Sequence, residues 1–268
     1  MQAFTRAAAL AAALTVVAGA AGPGARVLLD QAKALDDGPR HWTDRTQRMK
    51  LTLVDAHGGE RVRELTVSTK RFPADEDKSI STFLAPAEVK GTGFLQWGHQ
   101  SGDDDQWLYL PAYGRTRRIT AQMRDESFVG TDFSYRDLDI LGDFQNWTEH
   151  DAPSALLGEE AVDGSACHVI ELRPQQEGMT YGRIVLWLDR DKLTARRMEF
   201  YDREGEKLKR LALQEITDVG KVPTAHTLEM QSLKKGTRTR VDVADVQYDS
   251  SIPDDHFTQR QLERGGAP

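Results

Sequence analysis

The stretch QRMKLTLVDAHGGERVRELTVSTK, residues 47–70, contains two runs of alternating apolar and polar residues on either side of a glycine-containing turn. In the first run Met49, Leu51 and Leu53 lie two residues apart, so their side chains share one face of an extended strand. Residues 57–59 read His-Gly-Gly, a sequence with the backbone freedom that a tight connection needs. The stretch therefore predicts a β-hairpin.

The same alternation recurs through most of the chain. It is clearest in KSISTFL, GFLQW, QWLYLP, RTRRIT, ACHVIELRP, GRIVLWLDR, ARRMEFYDR, KLKRLALQEI, HTLEMQSL and TRVDVADVQY. Short turns join these segments, which predicts a mainly β fold, a meander of about 11 antiparallel strands. An amphipathic helix precedes them, with Leu28, Ala32 and Leu35 at helical spacing. No linker rich in Pro, Gly or Ser divides the chain, so we expect residues 22–268 to form a single domain.

Residues 121–157 interrupt this strand pattern. Their segment SFVGTDFSYRDLDILGDFQNW is rich in Gly, Asp and aromatic residues, a composition typical of loops and short helices. We predict a helix near residues 135–141, capped by Thr131 or Asp132. The segment has the character of a lid or plug over the sheet. The side chains that we assign to this lid are Phe128, Phe133 and Leu138.

Charge and the N-terminal sequence bear on location and partners. With 35 Lys and Arg against 42 Asp and Glu, the formal charge is −7, so the overall field repels nucleic acid and anionic membranes. Residues 1–21 contain Arg6, an apolar run and then small residues, as in a cleavable secretory signal. This run is too short to span a membrane, and no later segment resembles a transmembrane helix. We expect an exported protein that binds no nucleic acid and is not an integral membrane protein.

The residues that most often carry catalysis show no recognisable arrangement. The seven histidines are scattered, and Cys167, the single cysteine, has no partner for a disulfide or a zinc site. Cys167 and His168 are consecutive on a predicted strand and so point to opposite faces. Asp132 and Asp137 could act as paired carboxylates, but acidic residues in such a connection more often cap helices or bind backbone N–H groups. We therefore expect no enzyme activity, no metal site and no cofactor.

The stretch QWLYLPAYGRTRRI, residues 106–119, joins an apolar strand to a cluster of arginines. Trp107 and Tyr109 share one face of this strand, and the other face is also apolar, so one face has to be covered by helices, a ligand or both. In one interpretation the arginines form the cationic rim of an apolar cavity that accepts an amphiphile. In the other they pair with carboxylates and pin the middle segment to the sheet. The residues concerned are Arg115, Arg117, Arg118 and Arg124 on one side and Asp125, Glu126, Asp132 and Asp137 on the other.

Four segments of the chain resemble the bacterial outer-membrane lipoprotein-sorting proteins, the LolA-like family. They are FLAPAEVKGTGFLQW (83–97), QWLYLPAYGRTRRI (106–119), SFVGTDFSYRDL (127–138) and IPDDHFTQRQLER (252–264). The resemblance implies an open, unclosed antiparallel β-barrel wrapped over lid helices, with an apolar concavity that accepts lipid or lipoprotein acyl chains in the periplasm. Through relatives that serve lipid transport beside RND-type exporters, the resemblance also implies a membrane transporter of this kind as a partner.

On this basis we predict a periplasmic carrier that binds an acyl chain and delivers it toward the outer membrane. Two alternatives stay open. A non-carrier accessory subunit, docked on an exporter or on the outer-membrane assembly machinery, predicts a filled interior and an exposed apolar patch. A hydrolase predicts a cleft with strongly perturbed titrating groups. The side chains that we expect to line the cavity of a carrier are Leu51, Leu53, Phe83, Phe94, Trp97, Trp107, Tyr109 and Trp187.

Overall fold

The computed structural model describes residues 24–73, 76–99 and 104–265, so the predicted signal peptide, residues 1–21, lies outside the described residues. The three α-helices are α1 (Ala25–Asp37), α2 (Tyr135–Asp143) and α3 (Gln259–Glu263). Strands β1 to β13 are Asp44–Val54, Glu60–Phe72, Glu76–Ala85, Gly93–Trp97, Asp105–Leu110, Arg115–Arg118, Ser154–Val162, Ser165–Leu172, Arg183–Asp189, Ala195–Tyr201, Lys207–Val219, Val222–Ser232 and Thr237–Tyr248.

All these strands belong to one antiparallel sheet made of two meanders. The strand order is β6-β5-β4-β3-β2-β1-β13-β12-β11-β10-β9-β8-β7, so the meanders meet where β1 pairs with β13. The sheet curves until β4 and β10 face the same cavity, yet its edge strands β6 and β7 do not pair. The prediction of an open antiparallel barrel over helices is confirmed.

The sheet has 13 strands, slightly more than the alternation in the sequence predicts. The strand that the alternation does not reveal is β7, which lies partly in the region expected to break the strand pattern. Seven of its nine residues are exposed. Because such an edge strand has no continuous buried face, it shows no period of two in its sequence.

The predicted hairpin is confirmed by β1 and β2, which pair from Asp44 opposite Lys70 to Val54 opposite Glu60. In the connecting turn the carboxylate of Asp55 accepts the backbone N–H groups of His57 at 2.8 Å and Gly59 at 2.9 Å. The odd-numbered residues of β1 point to the concave face of the sheet, where Leu51 and Leu53 are both buried.

Helices α1 and α2 occupy the concave side, and their ends follow local sequence signals. The backbone N–H of Gly38 hydrogen-bonds to Ala34 where α1 ends. Before α2 the Ser134 hydroxyl accepts the N–H of Asp137 at 3.2 Å, and the Asp137 carboxylate accepts the N–H of Ser134 at 2.7 Å. This capping box makes Ser134 the cap. The expectation of Thr131 was wrong because its hydroxyl donates to the carbonyl of Phe128 instead.

The expectation of Asp132 as the cap was wrong for a second reason. Its carboxylate accepts hydrogen bonds from the hydroxyl groups of Thr237 and Thr239 on β13. Asp132 therefore attaches the middle segment to the sheet one turn before α2 begins.

The two faces of the sheet carry separate buried clusters. On the concave face, the largest cluster joins side chains of both meanders to α1, α2 and the segment before α2. On the convex face of β3 to β5, a second cluster includes Ile252, Phe257 and Leu262 from the C-terminal segment. A third, around Cys167 and Trp187, lies on the second meander. Both faces of the aromatic strands are thus covered by the chain itself.

Candidate functional site

A cavity of about 490 Å³ lies between the concave face of the sheet and the helices above it. Its volume falls within the range of roughly 300–1,000 Å³ that is common for small-ligand sites. The apolar side chains of its wall include Met49, Leu51, Leu65, Val67, Phe94, Phe128, Phe133, Leu138, Leu141, Met198, Leu213 and Val243. The polar and aromatic ones include Asp36, Trp42, Arg45, Gln47, Thr69, Arg71, Ser79, Gln96 and Tyr248.

The lining changes from apolar to polar along a single strand. On β1 the residues that line the cavity are, in order away from the hairpin turn, Leu51, Met49, Gln47 and Arg45. Leu51 to Arg45 spans six residues, which is about 20 Å of extended chain. The cavity is therefore amphipathic along its length.

The neighbouring strand repeats this gradient in register. Leu65 lies opposite Met49 and Val67 opposite Gln47, so the apolar side chains of β2 flank the middle of the cavity. Thr69, opposite Arg45, is polar, and the last cavity residue of β2 is Arg71. Two adjacent strands thus place their cations at the same end.

The polar end of the cavity is organised around Trp42. The guanidinium carbon of Arg71 lies 4.1 Å from the centre of the Trp42 ring, and that of Arg45 lies 5.2 Å away. The centre of the Tyr248 ring lies 5.6 Å from the centre of the same indole. Burial raises the pKa of Asp36 at this end, and the charges of Arg71 and Arg40 oppose the rise. This end presents cations, hydrogen-bonding groups and aromatic faces together.

The apolar end is formed by aromatic rings from the sheet and from the segment before α2. The Phe94 ring lies 5.1 Å from the Phe128 ring and 5.7 Å from that of Tyr135. Behind them Phe83, fully buried, is 5.9 Å from Phe128. Phe133 completes this part of the wall. The wall at the apolar end is therefore mainly aromatic.

Helix α2 is fixed to the barrel by buried polar contacts. The carboxylate of Asp137 accepts the Tyr181 hydroxyl at 2.6 Å and forms an ion pair with Lys209 of β11. Arg136 pairs with Asp125 at 2.6 Å and also donates to the carbonyl of Gly178 at 3.1 Å. These contacts join the helix to the segment that follows β6, to the connection between β8 and β9 and to β11.

A second buried carboxyl on α2 lies close to the polar wall of the cavity. Asp139 pairs with Arg124 and accepts a hydrogen bond from the side-chain amide of Gln106. Burial, with the nearby charge of Asp104, raises the pKa of Asp139 to about 8, although Arg124 opposes the rise. Burial also raises the pKa of Asp104, which accepts a hydrogen bond from Gln96 at 2.6 Å. These hydrogen bonds and the ion pair attach both carboxyls to their neighbours, and Asp104 also lines the cavity.

Helix α1 is held to the segment after α2 by polar contacts near its surface. Arg26 donates to the carbonyl of Trp147 at 2.7 Å, and Lys33 donates to the side chain of Asn146 at 3.0 Å. At the C-terminal end of α1, the carbonyl of Asp36 accepts from Arg71 at 3.2 Å. The side chains of Arg26 and Lys33 are partly exposed, whereas that of Asp137 on α2 is fully buried, so water competes more with these contacts of α1.

Comparisons with known proteins agree with this architecture. A family model described only as that of an uncharacterized protein matches residues 75–264. A domain assigned to the outer membrane lipoprotein-sorting proteins, from Vibrio parahaemolyticus, is 30% identical over 89% of this chain and 97% of that chain, with a TM-score of 0.81. This chain belongs to that family, the LolA-like proteins. No curated protein sequence matches it.

Two further solved structures resemble this LolA-like protein. A DUF1329 family protein from Desulfovibrio piger is 27% identical over 88% of this chain and 98% of that chain, with a TM-score of 0.80. A LolA superfamily protein from Nitrosomonas europaea, 19% identical over 90% of this chain and all of that one, has a TM-score of 0.67 and shares the fold. The sequence resemblance to the family is confirmed.

Among the described residues of this LolA-like protein, no helix is both long and apolar enough to cross a membrane. The same part of the chain contains no group of three or more His, Cys, Asp and Glu side chains that could hold a metal ion.

Several of the side chains predicted to line a cavity do lie on its wall. Leu51 and Phe94 come from the sheet, and the predicted lid supplies Phe128, Phe133 and Leu138. Leu53 and Phe83 belong to the same inner cluster but lie beside the cavity. Whether any of them contacts a ligand stays a prediction.

The structure places three other predicted lining residues on the opposite face. Trp97, Trp107 and Tyr109 pack in the outer cluster, where the two indole rings are 4.9 Å apart and the Trp97 Nε1–H donates to the carbonyl of Phe257 at 2.9 Å. Alternation explains this, because the inward position between Trp107 and Tyr109 is held by Leu108 of the inner cluster.

Trp187 is also directed away from the cavity. It packs with Val162, Cys167 and Val185 on the outer side of the second meander. Its Nε1–H donates to Glu160 at 3.0 Å. The predicted place of Trp187 in the cavity wall was therefore wrong, whereas the expectation that Cys167 is a small buried strand residue was right.

The arginine cluster after β5 does not form the rim of this cavity. Arg115, Arg117 and Arg118 are exposed on the edge strand β6 and are not part of the cavity wall. Arg118 pairs with Asp105 of the neighbouring strand, and Arg117 hydrogen-bonds to the side chain of Tyr135.

The structure pairs the arginines with other carboxylates than the second interpretation names, since Arg118 pairs with Asp105 and Arg124 pairs with Asp139. Arg124 and Arg136 are the cations that fix the middle segment. Asp137 pairs with Lys209 instead of an arginine, and Asp132 accepts threonine hydroxyls. The pairs could not be assigned from sequence because their members come from separate elements.

Sequence reasoning missed the polar end of the cavity, formed by Trp42, Arg45 and Arg71. The signal was present in the hairpin itself. On β1, every second residue faces the concave side, and this series runs from Leu51 to Arg45. On β2, the corresponding series runs from Leu65 to Arg71. In both strands, a series of inward-facing residues that begins with apolar side chains ends in an arginine, which indicates a polar end of the cavity.

Proposed function

We propose that this protein is a periplasmic carrier that binds a lipid or lipoprotein acyl chain in the cavity and delivers it toward the outer membrane. The single observation that supports this best is the amphipathic cavity itself, roofed by two helices and lined by the inward residues of both meanders. The assignment of its Vibrio relative to lipoprotein sorting supports the same function. The predicted signal peptide supports a periplasmic location.

Burial of the acyl chain supplies the binding energy. Each CH₂ group removed from water contributes about 0.8 kcal/mol, from which the cost of opening and ordering the site is subtracted. The wall from Leu51 to Phe94 and Phe128 offers the necessary hydrocarbon surface. This function requires binding and release but no bond cleavage, so the proposal is of a carrier without catalysis.

Release of the chain needs the roof to open. The contacts of α1 with Trp147 and Asn146 are made by the partly exposed side chains of Arg26 and Lys33, and we expect them to break more easily than the contacts of the buried Asp137 on α2. We therefore assign the opening movement to α1 and the segment after α2. A partner that stabilises the open form, such as an RND-type membrane transporter, would shift the population toward release.

Native mass spectrometry of the protein purified from periplasm without detergent tests this function, followed by extraction and identification of the bound molecule. We expect one lipid in defined stoichiometry. A well-folded protein that carries no lipid and binds no fluorescent fatty-acid analogue would contradict the carrier and favour the accessory subunit.

A cavity-filling substitution tests whether the chain is bound where we place it. Ala195 of β10 lines the cavity, whereas Ala161 of β7 is exposed. We expect Ala195→Phe to weaken binding of the analogue at least about tenfold, because displacing two CH₂ groups already loses about 1.6 kcal/mol. The matched control Ala161→Phe should bind like the wild type. Equal binding by both variants would place the ligand elsewhere.

A further inference from the structure

The polar end of the cavity contains a cation with an unused donor. Arg45 lines the cavity, and its Nε is buried without a hydrogen-bond partner among the described residues. No acidic side chain in this part of the structure forms an ion pair with Arg45. A buried guanidinium donor without a partner is costly, and most such donors are satisfied in native proteins. The site therefore favours a ligand that supplies an acceptor.

The second cation at this end is already engaged. Arg71 donates to the carbonyl of Asp36 at 3.2 Å and lies 3.9 Å from the carboxylate of Asp77. Its guanidinium also covers the Trp42 ring at 4.1 Å. Arg71 thus serves the attachment of α1 to the sheet, which distinguishes it from Arg45.

The acidic groups nearby leave a net attraction for an anion at Arg45. Asp77 is next to Arg71, and burial raises the pKa of Asp36, which reduces the negative charge of this carboxyl relative to an exposed aspartate. Asp44, next to Arg45 in sequence, points away and accepts the backbone N–H groups of Ser250 and Ile252. None of these three carboxyls neutralises Arg45 by a direct ion pair.

The gradient along β1 fixes the direction in which an amphiphile would lie. Arg45 is at one end, and Leu51, with the rings of Phe94 and Phe128, is at the other. The span between Arg45 and Leu51, about 20 Å of strand, is comparable in length to an extended acyl chain. An uncharged head group could accept the Arg45 hydrogen bond but would not neutralise the charge of the guanidinium, whereas a cationic head group would be repelled.

We propose that the ligand of this cavity has an anionic head group, a carboxylate or a phosphate, which accepts hydrogen bonds from Arg45 while its acyl chain extends toward Phe94 and Phe128. This inference rests on the proposed carrier function and adds to it the class and orientation of the cargo. A carboxylate would come from a free fatty acid and a phosphate from a phospholipid.

Three probes with the same chain test the head group. Dodecanoate, dodecyl phosphate and dodecanol, each below its aggregation concentration, are titrated against a fluorescent fatty-acid analogue bound to the full chain. For the wild type we expect at least one anion to bind about tenfold more tightly than the alcohol, as is typical for a hydrogen bond to a charged group. Tighter binding of the phosphate indicates a phospholipid, and tighter binding of the carboxylate indicates a fatty acid.

Two variants assign this preference to Arg45. Arg45→Gln should lose about tenfold in affinity for the preferred anion and keep the affinity for dodecanol. The matched control is Arg48→Gln, because Arg48 is exposed on the same strand and paired only weakly with Asp245, at 3.8 Å. This control should keep both affinities.

The outcomes separate the two proposals. Equal wild-type affinities for the alcohol and both anions would overturn the head-group inference while leaving the carrier intact. Failure of all three probes to displace the analogue, or no binding of the analogue at all, would overturn the carrier as well. If Arg45→Gln does not fold, the comparison of the three probes on the wild type still shows whether an anionic head group is preferred. Arg45→Lys then tests whether residue 45 contacts the head group, because this variant keeps the positive charge.

Discussion

The two faces of strands β4 and β5 are both apolar, but they are covered in different ways. On the convex face, Trp97 and Trp107 are packed against Phe257 and Leu262 of the chain's own C-terminal segment. On the concave face, Phe94 contacts Phe128 and borders the cavity of about 490 Å³. Large aromatic residues alone therefore do not identify a binding wall. The difference lies in what covers each face.

The two coverings also differ in how they are attached. The C-terminal segment is a closed part of the core, with Leu262 and Phe257 almost completely buried. The inner roof combines apolar contacts with buried ion pairs such as Asp137 with Lys209. Strong packing on one side and polar attachment on the other predict different responses to mutation and pH.

The largest effect should come from emptying the outer cluster. Phe257→Ala removes a ring that is 1% exposed and leaves a cavity, which we expect to cost about 3–5 kcal/mol of unfolding free energy. Chemical denaturation measures this loss, and Gln259→Ala on the exposed side of the same segment is the control. Binding of the fatty-acid analogue should persist in the fraction that stays folded. Loss of binding without loss of stability would mean that the outer face belongs to the site.

The inner and outer faces should respond to pH in opposite directions. In the folded protein the pKa of Asp139 is about 8, raised from 3.8, so this carboxyl holds a proton that the unfolded chain has lost. Its contribution to stability is full below pH 4 and is lost as the pH rises through 8, at up to about 1.4 kcal/mol per pH unit. Denaturation at a series of pH values should show that the unfolding free energy falls less with rising pH for Asp139→Asn than for the wild type. Asp191→Asn, at an exposed turn, is the control.

On the outer face the titrating group is His256, which has a buried and unpartnered Nε2 among the described residues. Burial lowers the pKa of His256 from 6.5, so its contribution is present above that value and is lost as the pH falls. In the same pH series, the unfolding free energy of His256→Gln should therefore depend on pH differently from that of the wild type only at acidic pH. A wild type whose stability is flat from pH 5 to 9 would contradict both assignments.

The smallest effects should come from the helix caps, one on each face. Ser134 caps α2 through its hydroxyl, and Thr258 caps α3 by accepting the N–H of Gln261 at 3.3 Å. We expect Ser134→Ala and Thr258→Ala each to cost about 1 kcal/mol of unfolding free energy. Only Ser134→Ala should speed dissociation of the bound analogue in stopped-flow measurements. Equal dissociation rates for the two variants would show that the cap of α2 does not control release and would leave the opening movement to α1.

The sequence was sufficient for most of the sheet because a period of two identifies any strand with one buried face. It identified the β1–β2 hairpin down to its inward residues. It did not reveal β7, which is exposed on both faces. The short helix α2 was predicted, but its cap was assigned to Thr131 or Asp132. The spacing of Ser134 and Asp137, three residues apart as in a capping box, was the sequence signal that identifies the cap.

For the cavity, local sequence was a weaker guide. Where a strand is apolar on both faces, as at Trp107 and Leu108, alternation separates the faces without showing which one is the interior. The deciding fact is that Phe257 and Leu262, about 150 residues later, cover the Trp107 face. The same limit applies to the ion pairs of Arg124 and Arg136, whose partners depend on where α2 is placed. The position of Arg45 could be predicted from the sequence, because Arg45 continues the alternating series of inward-facing residues on β1.

The pairing of β1 with β13 has a consequence for how the chain reaches its native state. Met49 pairs with Val243, about 190 residues later, so this seam closes only when both meanders are available. Until then β1 and β13 are each an unpaired edge with apolar side chains, the kind of edge that joins other chains and aggregates. We expect refolding of the protein to slow at this step, and its yield to fall as protein concentration rises.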